Sequence, residues 1–241
     1  MSFGLARGKP LDPGRVGLYQ SDLPPLPDDL PNNPRAAELD PRDWFAEPGR
    51  PFELEIGSGK GTFLVQQASL EPGVNFLGIE WAKEFMTYAA DRVRRHGLEN
   101  VKLLCTDAGE FVRWRVPDGV CRVIHLYFPD PWPKARHHKR RLVQDRFLAD
   151  AHRLLEPGGE LRVVTDHPDY WAWMEGFFGR WCGAGGVGGV SFERRAFERP
   201  ESAGEGEVVG TNFERKYARE GRPFHAAILR KGGGGGSHQG G

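Results

Sequence analysis

Short apolar runs recur along this 241-residue chain, and almost every one is followed first by an acid and then by a helix-like stripe. Residues 52–56 (FELEI), 74–79, 101–105, 123–128 and 161–164 read as strands. Glu55, Glu80, Asp107, Asp130 and Asp166 fall at or just past their ends. Between them the apolar spacing becomes helical. It runs over 62–70, through Trp81, Phe85, Ala89 and Val93, and through Phe147, Leu148, Ala151, Leu154 and Leu155, where Pro157, Gly158 and Gly159 mark a stop. A further stripe, Trp171, Met174, Phe178 and Trp181, follows Pro168, which suits a first helical position. Strands that alternate with helices need crossover connections, so the pattern predicts an α/β fold with a mostly parallel sheet and helices on both faces. Ligands of such sheets bind beyond the carboxyl ends of the strands, and the five acids are therefore expected to share one crevice.

The segment Cys121–Arg141, CRVIHLYFPDPWPKARHHKRR, compresses three kinds of chemistry. Its strand is a continuous apolar run suited to burial on both faces. Pro129, Pro131 and Pro133 fix φ and donate no backbone hydrogen bond, so Asp130 and Trp132 are predicted to stand on a stiff loop. From Lys134 to Arg141 there are five Lys or Arg and two His in eight positions. That density repels itself unless it is solvated or faces an anion, and the rigid acid beside it favours a phosphate-binding reading. Zinc is not expected at His137 and His138, because the neighbouring cations oppose another positive charge.

The turn after the first strand, Glu-Ile-Gly-Ser-Gly-Lys-Gly, lets a ligand approach the backbone at Gly57, Gly59 and Gly61. Its spacing departs from the dinucleotide fingerprint and from the P-loop, and Glu55 suits a cationic or amino group better than a pyrophosphate. Glu80 is placed to accept hydrogen bonds from ribose hydroxyls, a role open with NAD as with S-adenosylmethionine. Asp107 adds a third carboxylate where an adenine amino group would fall in a methyltransferase.

Composition limits the alternatives. Thirty-three basic and 33 acidic residues leave a formal net charge of zero, so any affinity for nucleic acid must be local. Three cysteines without a CxxC pair argue against a disulfide framework and a zinc knuckle, and point to a reducing cytoplasm. No apolar run approaches membrane-spanning length, and no secretory pattern opens the chain. Residues 1–50 read as a Pro-rich arm that lies on the surface or stays loose; Arg7, Lys9 and Arg15 are more readily solvated than bound to RNA. The folded domain is expected over 51–231, with 183–207 as a Gly/Glu-rich loop or irregular hairpin, a closing strand at 224–229, and 232–241 as a flexible tail. Monomer and homodimer both remain open.

With these residues in view, the chain resembles the bacterial tRNA (guanine-N(7)-)-methyltransferases from about Phe52 to Lys231. The likeness is carried by ELEIGSGKG, GIEWAKE, FPDPWPKARHHKRR, the Thr165–Asp166 pair and TNFE at 211–214. It implies a Rossmann-like class I S-adenosylmethionine-dependent methyltransferase that modifies a guanine in the tRNA variable loop. By position it implies cofactor binding by Glu55, Gly57, Gly59, Gly61, Glu80, Asp107 and Asp130, with Asp130 also catalytic. Substrate contacts would fall to Lys134, Asp166, Thr211, Asn212, Phe213 and Glu214, and RNA contacts to Arg136, His137, His138, Lys139, Arg140 and Arg141. Asn212 stands where that family commonly has lysine. The competing expectations are a methyltransferase acting on another RNA, a protein or a small molecule, a non-catalytic RNA-binding protein on the same scaffold, and a dinucleotide-dependent oxidoreductase.

Overall fold

In the computed structural model, which describes residues 10–30 and 32–232, eight strands form one sheet. In chain order the elements are β1 (Gly17–Tyr19), β2 (Phe52–Ile56), α1 (Thr62–Leu70), β3 (Asn75–Glu80), α2 (Lys83–Arg95), β4 (Val101–Cys105), α3 (Ala108–Trp114) and β5 (Cys121–Tyr127). They continue with α4 (Asp145–Leu154), β6 (Leu155–Thr165), α5 (Pro168–Trp181), β7 (Phe192–Arg195), α6 (Asn212–Arg219) and β8 (His225–Lys231). The strand order is β1-β4-β3-β2-β5-β6-β8-β7; all neighbours are parallel except β8, which runs antiparallel to both β6 and β7.

Alternation along the strands divides the interior into two layers. Phe52, Leu54 and Ile56 of β2 join Leu77, Ile79 and Leu104 in one cluster, shared with α3, α4 and α5. Side chains of opposite parity, Phe76 and Leu103 among them, pack with Phe63 and Leu64 of α1 and with Met86, Ala89 and Val93 of α2. The chain winds outward from β2 to β3 and β4, then returns to place β5 on the other side of β2. That reversal opens a crevice at the carboxyl ends of β2 and β5.

Four expectations need correction. The stretch 183–207 is not only a loop or irregular hairpin, because Phe192–Arg195 within it pairs with β8 at the edge of the sheet. The segment before Pro51 is not merely a loose arm: Gly17–Tyr19 pairs in parallel with Leu103–Cys105 and extends the sheet by a strand. Leu39 N also donates to Arg115 O (2.8 Å), while Arg115 donates to Pro24 O, and Phe45 is buried. Arg7, Lys9 and the tail from Gly233 lie outside the described residues. Trp81 precedes α2 rather than belonging to its inner face and is 72% exposed; Met86 and Ala90 fill the buried stripe instead. Finally, Leu155 does not belong to the helical stripe and the strand does not wait for Leu161: α4 ends at Leu154 and β6 begins at Leu155, so Pro157, Gly158 and Gly159 lie within a strand whose pairing with β5 shifts register over this stretch. A Cβ on Gly159 would lie 2.9 Å from Arg122 O, so glycine permits the close passage.

Candidate functional site

Glu53 and Glu55 lie two apart on β2 and therefore on the same face of the strand, under α1. Both are buried, but their surroundings differ. Glu53 accepts from His125 Nε2 (2.8 Å) and from Arg122 Nε (2.7 Å). Burial pushes its carboxyl up, but those partners outweigh burial and hold it below the usual range. Glu55 has no such neighbours. Its Oε2 is buried without a hydrogen-bond partner, as is the nearby Ser58 Oγ. Burial, aided by the charge of Glu80, pushes Glu55 up to about 8. An orphaned buried carboxylate oxygen costs stability unless something fills its place, so this one is built for a donor the chain itself lacks.

The glycine turn brings the backbone to that point. Gly57 N and Ser58 N donate to Ile79 O at 2.8 and 3.0 Å, tying the turn to β3. Gly57 and Gly59 have φ of 79° and 53°, the left-handed region that other residues enter at a cost. Glu80 holds the other side, accepting from Gly59 N on Oε2 and from Ala82 N on Oε1, both at 2.8 Å. Burial raises the Glu80 carboxyl even against those backbone donors. Each of its oxygens keeps a lone pair for a further donor, such as a ribose hydroxyl.

These groups line one crevice with two lobes, of about 220 and 420 Å³, a size suited to a small-molecule ligand. Glu55, Thr211, Asn212 and Phe213 line the first lobe, and Glu80, Asp107, Asp130 and Phe213 line the second. Gly57, Gly59 and Phe128 belong to both. Asp107 also caps α3, accepting from Glu110 N (2.8 Å). Asp130 is held on the proline loop, whose ends carry two non-glycine residues of positive φ, Phe128 (52°) and Trp132 (42°). Such backbone costs about 1–3 kcal/mol per residue and persists only where its surroundings enforce it. Phe128 is enforced by Tyr217 and Phe224, and Trp132 by His137 and by Arg140, whose guanidinium lies 4.9 Å from the indole centroid.

Several expected residues lie elsewhere. Gly61 does not line the crevice; a Cβ there would stand 2.9 Å from Ala89 Cβ, so its glycine serves the contact of α1 with α2. Glu214 is buried and turned away from the crevice, accepting from the backbone N–H groups of Val208, Val209 and Gly210. Its own N–H donates to Thr211 Oγ1 (3.1 Å), which caps α6. Asp166 is paired with Arg222 at 2.6 Å. Lys134, just before the 3₁₀ turn Ala135–Arg140, and Arg136 and Lys139 on it are exposed and lie outside the crevice; His137 and His138 on the same turn are half-buried and also outside it. Arg141 is 1% exposed, donates to Asp169 and to Pro131 O (2.9 Å), and lies over Tyr170 and Trp173. It braces the loop from within rather than facing a polynucleotide. Arg141→Met should therefore destabilise the fold by about 1–3 kcal/mol, read as a lower midpoint in urea denaturation; an unchanged midpoint would return Arg141 to the surface group.

The sequence reading passed over Trp81 and Phe128 as part of the crevice wall. Trp81 follows Glu80 directly, and an indole immediately after a strand-end acid was the available signal. Among the described residues, no group of three or more His, Cys, Asp and Glu side chains is placed to hold a metal ion, and no helix is long and apolar enough to cross a membrane.

Strand order, glycine turn and strand-end acids define a class I S-adenosylmethionine-dependent methyltransferase. A family model described as "Putative methyltransferase" matches residues 49–182. The aminoglycoside resistance methyltransferase NpmB1 shares the fold, with a TM-score of 0.51 at 18% identity over 89% of this chain and 98% of that one. The tRNA (guanine-N(7)-)-methyltransferase of Nitrobacter hamburgensis is 37% identical over 95% of this chain and 84% of its own length. That of Streptococcus thermophilus is 32% identical over 81% of this chain and 91% of its own. The chain belongs to the tRNA (guanine-N(7)-)-methyltransferase family.

Proposed function

We propose that the protein transfers the methyl group of S-adenosyl-L-methionine to N7 of a guanine in the variable loop of tRNA. The observation that carries this reading is the unpartnered Glu55 carboxylate in the same crevice as Asp130, beside the exposed cations Lys134, Arg136 and Lys139. S-adenosyl-L-methionine supplies an electrophilic sulfonium methyl and also an amino group, two ribose hydroxyls and an adenine. Glu55 is assigned to the amino group, Glu80 to the hydroxyls and Asp107 to the adenine edge, with Gly57 and Gly59 allowing close approach.

Guanine N7 carries a free lone pair at neutral pH, so no base need remove a proton before attack. What the chain must supply is alignment, worth up to about 7–11 kcal/mol in well-oriented systems, and negative charge facing a ring that becomes cationic. Asp130, stiffened by three prolines, holds the guanine edge and offsets that charge. Thr211, Asn212 and Phe213 close the opposite wall. Lys134, Arg136 and Lys139 meet the RNA. A tRNA substrate places the reaction in the cytoplasm.

Incubation with labelled S-adenosyl-L-methionine and unmodified tRNA, followed by mapping of the modified base, tests this directly. Label is expected at N7 of one variable-loop guanine. Label on another RNA, a protein or a small molecule would overturn the substrate, and no transfer would overturn the enzyme.

A further inference from the structure

The chain has 25 arginines, and most of those described are tied to a carboxylate or a backbone carbonyl. Arg113, Arg140 and Arg146 are exceptions, and Lys139 is a further such cation: among the described residues none of the four lies within ion-pair distance of a carboxylate, although Asp150 acts on Arg113 and Arg146 from farther away. All four line one groove between α3 and the start of α4. Two are fixed in direction by an aromatic ring rather than by an ion pair. Arg113 lies 5.1 Å from the centroid of the Trp114 ring and Arg140 lies 4.9 Å from that of Trp132, contacts that leave guanidinium donors free. Arg113 Nη1 is moreover buried without a hydrogen-bond partner.

The groove has three acids of its own, which offset part of this charge, but none of them is ion-paired with the four cations. Asp107 caps α3, Glu110 accepts from Gln20 Nε2 (3.4 Å), and Asp150 senses Arg113, Arg153 and Arg146 while burial pushes its carboxyl up. Asp107, Arg140 and Leu142 line both this groove and the acidic crevice, so the two are continuous. Their opposite charges sort a nucleotide. Glu80, Asp107 and Asp130 disfavour a phosphate in the crevice, so a base can enter it while its phosphodiester chain stays on the cations outside.

We infer that the groove formed by Arg113, Lys139, Arg140 and Arg146 is a track for the tRNA phosphodiester backbone, extending the RNA interface beyond the 134–141 run onto α3 and α4. The inference rests on the tRNA reading above. Each neutralised phosphate releases counterions, so the track reports itself through salt dependence.

The test uses the full chain carrying Arg113→Gln with Arg146→Gln, two residues that line the groove but neither lobe of the crevice. The slope of log affinity for tRNA against log salt is expected to flatten by about 1.4–1.8, two phosphate contacts' worth. KM for tRNA should rise at least about tenfold, with kcat at saturating tRNA and cofactor affinity unchanged. Arg113→Lys with Arg146→Lys should restore most of the slope, which separates charge from folding. If the wild type methylates tRNA while the Gln pair keeps its slope and KM, the groove is not part of the interface. If the Lys pair fails as badly as the Gln pair while both unfold at the wild-type temperature, charge is not what the groove supplies, and the inference is likewise overturned. A wild type that neither binds nor methylates tRNA would instead overturn the underlying reading, and the track with it.

Discussion

Asp130→Asn is expected to lower kcat by about 10²–10³-fold, the range found when one preorganised electrostatic partner of a transition state is removed. Asparagine keeps the shape of the side chain and can still hydrogen-bond, so the loop and the crevice should survive. What disappears is the negative charge facing a guanine ring as it turns cationic. The effect should therefore fall on kcat, with KM for tRNA and affinity for S-adenosyl-L-methionine near wild type. Asp130 is suited to this comparison because it is exposed and makes no hydrogen bond that holds the fold, unlike Glu53 or Glu214. Single-turnover methylation with saturating tRNA is the measurement. Near-normal turnover in a variant that binds both substrates would remove Asp130 from the chemistry and leave it a lining residue.

The central strands and the acids at their ends were legible in the sequence because both follow from period and punctuation. A strand buried on both faces is a run of apolar residues, and its end is where polarity returns, so β2 to β5, the second half of β6 and the acids Glu55, Glu80, Asp107 and Asp130 could be read from the chain. The strand β1 could not. Three residues, Gly-Leu-Tyr, among prolines and charges carry no alternation, and their place is fixed by pairing with Leu103–Cys105, more than 80 positions away. The roles of Arg141 and Glu214 were hidden for a related reason. A charged residue is read as solvated unless its partner is in view, and here the partners are Asp169, Tyr170 and Trp173 for one, and three backbone N–H groups for the other. Sequence shows that cations are dense between 134 and 141, but not that one of them turns inward. Nor does it show that Arg113 and Arg146 join the rest from other elements.

Depth was the other quantity out of reach, and it shapes the second large effect, expected for Glu55→Gln. FELEI reads as an alternating strand with acids on one side, and nothing local distinguishes Glu53, which is neutralised by His125 and Arg122, from Glu55, which is not. With Glu55 raised to about 8, the cofactor-free protein holds a proton there at pH 7. An ammonium group requires the ionised form, so binding must expel that proton. Affinity for S-adenosyl-L-methionine should then rise with pH up to about 8, by at most about tenfold per unit, and level off above it. Glu55→Gln should abolish the slope and cost about 10²–10³-fold in affinity above pH 8, the loss expected when one partner of a buried charge pair is removed.

Stability should move the other way. Glu55's folded value lies above its ordinary 4.5, so between those two pH values the native state holds a proton that the unfolded chain has released. The cofactor-free wild type is therefore destabilised as pH rises through that window, by about 1.4 kcal/mol for each unit, and the loss is complete above about 8. Glutamine cannot ionise and escapes this penalty. At pH 8.5 the variant should unfold at a higher temperature than wild type without cofactor and at a lower one with saturating S-adenosyl-L-methionine. Thermal unfolding with and without cofactor at pH 6 and pH 8.5 checks both signs at once. A wild type whose cofactor affinity is flat from pH 6 to 8, or a variant destabilised in both states, would show that the carboxylate is held by something other than the missing ammonium.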